Sequence, residues 1–263
     1  MVGCEGEVDK MLFQSIKDLT NDPKLIKISQ LVEMQTKHPI EIGYMDEWKI
    51  GIGARASLKW NAQKESFLFL VNPNIIPTDI LICHELMHAI MFIEGFPELV
   101  QYSGLPSYLN EIIEYAFNTI LHIDVWKMEE KFGYSEREIF NEGIVQNLLP
   151  QLKAGTIFEN FYEGARSHLL LCHILASLLS PADAHIKKQV WDVAEDSLKN
   201  YFPILCQQYD HLSALSRLTP ESSQQLVQNL LSSIQVTQAA YRLQISFLHP
   251  HPGFREDVLL QLK

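Results

Sequence analysis

The chain has 263 residues, 47% of them hydrophobic, which is enough apolar material for one large core or two small ones. Its formal net charge of −11 repels phosphate backbones and no Lys/Arg cluster offsets it, so nucleic-acid binding is not expected. The start MVGCEGEVDK has no apolar signal region, and the richest apolar run, HLLLCHILASLL over 168–179, is too short and too polar to span a bilayer.

Apolar spacing from Val8 to about Lys37 predicts helix, broken at Asp22-Pro23. The runs IEIGY, KIGIGARASLKW and SFLFLV, separated by MDEW and NAQKE, predict a small antiparallel sheet between about Ile40 and Val71. NPNIIPTD closes it. Thr78 is placed to cap a helix that begins at Asp79 and runs to about Glu94, where Gly95 and Pro97 stop it. A second long helix is predicted from Ser107 to Phe132, ending at Gly133.

Beyond Gly133 the pattern reads as helical throughout. New starts are expected at Ser135 with Glu138, Thr156 with Glu159, Ser180 with Asp183, and Thr219-Pro220. The tail FLHPHPGF reads as a turn-rich end, and its His249 and His251 receive no role. The expected fold is α+β over residues 1–133, followed by an all-helical region over 134–263. Those last helices offer surface for a partner or for self-association. Cys4, Cys83, Cys172 and Cys206 are scattered without paired spacing, so no disulfide framework is expected and a reducing, cytoplasmic setting fits. Cys83 and Cys172 fall in apolar helical patterns, where free cysteine behaves as a small hydrophobe.

The stretch ILICHELMHAIMF (80–92) carries the chemistry. On a helix, positions four apart lie one above the other, so His84 and His88 can direct ring nitrogens at one point. Zinc accepts two imidazoles and a carboxylate readily and keeps a fourth position for water. Glu85 sits at the edge of that face, placed to move a proton between that water and a leaving amine. The neighbours Ile82, Cys83, Leu86, Met87, Ala89 and Ile90 carry no charge. Three polar groups in such a segment each need a partner, and one ion serves two of them.

A third ligand must come from another element, and the helix over 107–132 is the expected source. Glu111, Glu114, Asn118 and His122 share one broad face of it, among Ile, Ala, Phe and Leu. Levelling two antiparallel helices from the intervening GFPELVQYSGLP favours Glu114 and leaves Glu111 open. His122 is a third option, as ligand, as donor to an oxyanion, or simply as a group bonded inside the helix pair. His168 and Cys172 also have a ligand-like spacing, but with no convergent carboxylate they are expected to pack in the core.

From about Phe67 to His122 the chain resembles the gluzincin metallopeptidases, the thermolysin-like clan, in a compact cytosolic form. The resemblance implies one zinc ion held by the two histidines of HELMH and a glutamate of the next helix, with Glu85 as general base. Glu114 with Asn118 approximates the clan's E-x-x-x-D pattern, with Asn for Asp; Asn110-Glu111 matches its N-E pair, but Tyr115 then holds the aspartate position. The resemblance also implies a zinc metalloprotease acting on a protein or peptide laid along SFLFLV. Metzincins carry a third histidine where Glu94 stands here. The alternative function is a regulatory or protein-interaction module with the same fold and no turnover.

Overall fold

The computed structural model describes residues 13–44, 56–61, 63–72, 76–100, 107–161, 163–236, 244–248 and 258–261. The chain is mixed α and β and divides into two units, Met1–Ile93 and Glu94–Lys263.

In the first unit the break at Asp22-Pro23 starts helix α1, Pro23–Thr36. Asp22 accepts the Lys24 N–H at 2.8 Å, satisfying one of the free donors of the first turn, and Pro23 already has helical φ. Leu25, Ile28 and Val32 recur on one face and are buried. Before Asp22 the described chain forms only the short 3-10 turn Ile16–Asp18. The rest of the helix predicted there, over residues 8–12, lies outside the described residues.

Three strands come next: β1 (Glu41–Tyr44), β2 (Ala56–Asn61) and β3 (Ser66–Val71). β3 lies in the middle, antiparallel to β2 with Leu58 opposite Phe69, and parallel to β1 with Ile42 opposite Phe69. The sheet is therefore mixed, which corrects the antiparallel expectation. Alternation along a strand says which residues share a face but nothing about the direction of a partner reached by a long connection. β2 and β3 are joined by a short turn and must be antiparallel; β1 reaches β3 only after the chain has passed through β2. SFLFLV is buried at five of its six positions, as suits a central strand. The predicted turn MDEW and the beginning of KIGIGARASLKW lie outside the described residues.

Helix α2 (Asp79–Ile93) starts as expected, with the Ile82 N–H bonded to the Thr78 carbonyl at 3.0 Å. Gly95, at φ 98, adopts the left-handed conformation that closes a helix and that residues with a Cβ disfavour. Ile82, Cys83, Leu86, Met87 and Ala89 are fully buried, and α2 packs on α1 and β2 of its own unit. Burying side chains such as Leu86 and Met87 stabilises by about 1.5–3 kcal/mol each. Trp60, Phe67 and Phe92 pin the end of the helix to the sheet, with ring centres 5.0–5.7 Å apart.

The second unit is mainly helical: α3 (Ser107–Phe132), α4 (Arg137–Gly143), a π-helical turn (Ile144–Leu148), α5 (Leu149–Ala154), α6 (Glu163–Leu179), α7 (Ala184–Leu198), α8 (Phe202–Ser213) and α9 (Pro220–Ser233). Ile112, Ala116, Ile120 and Ile123 form a buried stripe of α3, a helix that packs against α6 and α9. Gly133 ends α3 as predicted, at φ 86. Thr219 caps α9 by accepting the Ser222 N–H at 3.2 Å, and Asp183 is the residue before α7. Three starts differ from expectation: α7 begins at Ala184 with Asp183, not Ser180, at its N-cap; α4 begins at Arg137, whose N–H reaches the Ser135 hydroxyl at 3.3 Å; and Thr156 opens a turn rather than a helix. That turn holds Phe158 at φ 55, a conformation that costs a residue with a Cβ about 1 kcal/mol or more.

This unit is not all-helical, which corrects the second expectation. Strands β4 (Glu98–Val100), β5 (Gln244–Leu248) and β6 (Val258–Gln261) form an antiparallel sheet in the order β4-β5-β6. β4 is three residues long and pairs with a strand about 150 positions away, a signal no local window contains. His249 and His251 lie outside the described residues. Among the described residues no helix is long and apolar enough to cross a membrane.

Candidate metal centre

His84, Glu85 and His88 are the polar exceptions on α2. Each is half-buried, flanked by fully buried Cys83, Leu86, Met87 and Ala89. The two imidazoles stand 4.9 Å apart, centre to centre, with planes at 70°, and their Nε2 atoms are 3.2 Å apart. Two nitrogens bound at 2.0–2.1 Å to a tetrahedral zinc are separated by about 3.3 Å, so this spacing is one edge of such a site. The same spacing lets one neutral ring donate to the other. The donor set of two imidazole nitrogens, turned to one point from a hydrophobic helix, fits a borderline-soft divalent ion.

Glu85 faces the sheet of its own unit. Its Oε2 accepts the Leu58 N–H at 2.8 Å. Leu58 lies opposite Phe69, yet its N–H points away from β3, toward the outer edge of β2. A carboxylate tied to a backbone donor has a fixed orientation, and Glu85 is held beside the histidines without being one of the pair. The expectation that SFLFLV borders the cleft is overturned here. β3 has β1 on one side and β2 on the other, so its backbone groups are already used. Among the described residues, the strand with an outer edge beside Glu85 is β2.

In the second unit, α3 carries the other candidates. Glu114 is exposed, while Glu111, Asn118 and His122 are half-buried, so the polar stripe is only partly inward. Burial, followed by the charge of Glu114, holds the Glu111 carboxyl above its ordinary range. Burial and then the charges of Glu111, Glu114 and Cys172 push up the Tyr115 phenol. Tyr115 packs on His173 of α6, with ring centres 5.8 Å apart.

His122 instead stacks nearly flat on Trp126, at 5.4 Å and 19°. The Trp126 Nε1–H donates to Glu136 at 3.0 Å, which fixes the plane His122 rests on. Glu129, 1% exposed, brings a carboxylate oxygen within 4.8 Å of Glu136. Trp126, Glu129 and Glu136 were not among the residues singled out from the sequence, although the i, i+4 spacing of His122 and Trp126 is a legible signal. Along α3, Glu114 and His122 are eight residues apart, about 12 Å at 1.5 Å per residue. At that separation Glu114 and His122 are alternative, not joint, candidates for one ion.

His168 and Cys172 behave as core residues. The His168 Nε2 lies 3.1 Å from the Tyr201 hydroxyl, and complete burial pushes the Cys172 thiol up to about 12. Cys83, Cys172 and Cys206 are free thiols. No protein-family model, curated protein or solved structure matches the chain.

Proposed function

We propose that the protein is a zinc-dependent peptidase of gluzincin type. The observation that carries this reading is the Nε2 pair of His84 and His88, 3.2 Å apart on a helix whose other positions are buried and apolar. The third donor comes from α3: Glu114, Glu111 or His122. Of these, His122 is half-buried and oriented by Trp126, whereas Glu114 is exposed. Zinc at this donor set supplies an acidified water and a Lewis acid for a peptide carbonyl.

Glu85 is the general base: its carboxylate accepts the proton of the attacking water and returns it to the departing amine. The Leu58 N–H sets the orientation of that carboxylate. A protein substrate offers an extended segment, and strand addition uses the outer edge of β2 in place of the central β3.

The second reading is a zinc-binding regulatory module without turnover. It is favoured by the same 2.8 Å bond, which commits Glu85 to the sheet. Elemental analysis of the purified protein and of His84→Ala, Glu111→Ala, Glu114→Ala and His122→Ala identifies the ligands. Hydrolysis of a peptide library by wild type, lost in Glu85→Gln with zinc retained, establishes the peptidase. Zinc retained with no hydrolysis by wild type favours the regulatory module.

A further inference from the structure

Glu85 and Leu58 are 27 positions apart in the chain, and the bond between them ties α2 to the edge of the sheet in its own unit. The Oε2 atom accepts the Leu58 N–H at 2.8 Å, the usual length of a charge-assisted bond. In an antiparallel ladder the N–H and C=O of one residue point the same way. Both main-chain groups of Leu58 therefore face the outer edge of β2, while those of Ser57 and Lys59 face β3. Among the described residues no strand pairs with that outer edge. Glu85 thus holds the donor that an added strand needs.

The edge also has a chemical preference. Leu58 and Trp60 share the face turned to α2, where Trp60 packs on Phe92 at 5.2 Å. Lys59 lies on the opposite face, is exposed, and enters no salt bridge among the described residues. A lysine on an edge strand discourages indiscriminate pairing. It favours a partner strand that carries a carboxylate directly opposite.

We propose that Glu85 is a latch opened by an acidic peptide that adds to the outer edge of β2, an inference that rests on the peptidase reading and gives its site a regulation. The peptide presents a backbone carbonyl to the Leu58 N–H and a backbone N–H to the Leu58 carbonyl. Its carbonyl takes the donor from Glu85, and the carboxylate released from Leu58 turns to the attacking water. Two main-chain bonds to Leu58 form for the one given up, and an acidic residue one position along pairs with Lys59. Without an extended partner the carboxylate stays on the sheet. The 2.8 Å bond is then the resting state of an enzyme whose general base is engaged by its substrate.

The full chain, treated with a chelator so that the peptide stays whole, is titrated with an acetylated, amidated hexapeptide of alternating valine and glutamate. The Leu58 amide resonance is the readout, and a saturable shift is expected. Glu85→Ala leaves the donor open and is expected to bind about ten-fold more tightly than wild type, the worth of one charge-assisted hydrogen bond. Glu85→Gln is neutral but still accepts, so its affinity is expected between the two, which separates the latch from mere loss of a negative charge. Wild type is expected to prefer this peptide to one with lysine in place of glutamate, and Lys59→Ala to lose the preference. Absent saturation at Leu58, equal affinity of wild type and Glu85→Ala, or equal affinity of the two variants overturns the latch. Should Glu85→Ala not fold, equal affinity of wild type and Glu85→Gln overturns it in the same way. A wild-type preference for the lysine peptide overturns the acidic partner. No metal is present and no cleavage is read in these titrations, so they fail or succeed separately from the zinc and hydrolysis measurements that decide the peptidase.

Discussion

Replacing His88 by alanine tests the metal centre through stability rather than catalysis. His84 and His88 lie on the helix that fills the core of the first unit, so an ion bound only by the folded form raises its melting temperature. At 100 times its dissociation constant, zinc adds about 2.7 kcal/mol. Unfolding entropy is about 2.1 cal/mol/K per residue, or about 0.2 kcal/mol/K for a unit of roughly 93 residues and about 0.55 for the whole chain. The wild-type shift is therefore about 14 °C if Met1–Ile93 melts alone and about 5 °C if the chain melts together. A variant that binds 100-fold more weakly keeps only about 0.4 kcal/mol at the same zinc concentration, a shift of about 1–2 °C. Calorimetric melts of both proteins with and without zinc make the comparison, each against its own metal-free state. A wild-type melt indifferent to zinc, or an equal shift in His88→Ala, would refute the shared-ion geometry and leave the 3.2 Å spacing to an imidazole hydrogen bond.

Glu85→Gln is expected to keep the zinc-dependent melting shift and to lower hydrolysis by about 10²–10⁴-fold, since it removes the proton acceptor and leaves the metal donors intact. Undiminished cleavage would remove Glu85 from the chemistry. Acid is expected to weaken the second unit through its buried histidines. Burial holds His168 and His173 below their ordinary value of 6.5, so both are neutral above it in either state. Below it the unfolded chain takes up protons that the fold refuses, costing up to about 1.4 kcal/mol per pH unit for each. Urea midpoints at pH 7.5 and pH 5.5 in wild type and His168→Gln measure this, and an equal loss in both proteins would acquit His168. Cys172, held near 12 and fully buried, is expected to resist iodoacetamide at pH 8 in the native protein and to react once unfolded. Mass spectrometry of the digested protein reads this directly, and native labelling of Cys172 would contradict the packing of α6.

Much of the local structure was legible because its causes are local. Asp22-Pro23, Thr78, Gly95, Gly133 and Thr219-Pro220 mark real helix ends through capping bonds and left-handed turns that involve only neighbours. The i, i+4 rule likewise brought His84 and His88 together before any fold was known. Thr156 misled because an S/T-x-x-E pattern also suits an isolated turn, and here the chain closes turns at Glu159 and Phe161 instead of a helix.

What the sequence alone determined is the set of faces: which side chains share a stripe of α2 or α3, and which nitrogens can meet within a turn. Tertiary structure decided the pairings between segments far apart in the chain. The parallel return of β1 onto β3, the union of β4 with β5, and the bond from Leu58 to Glu85 are all of this kind. Periodicity of 2 or 3.6 residues fixes how an element presents its side chains, whereas partner and direction depend on where the whole chain closes its loops.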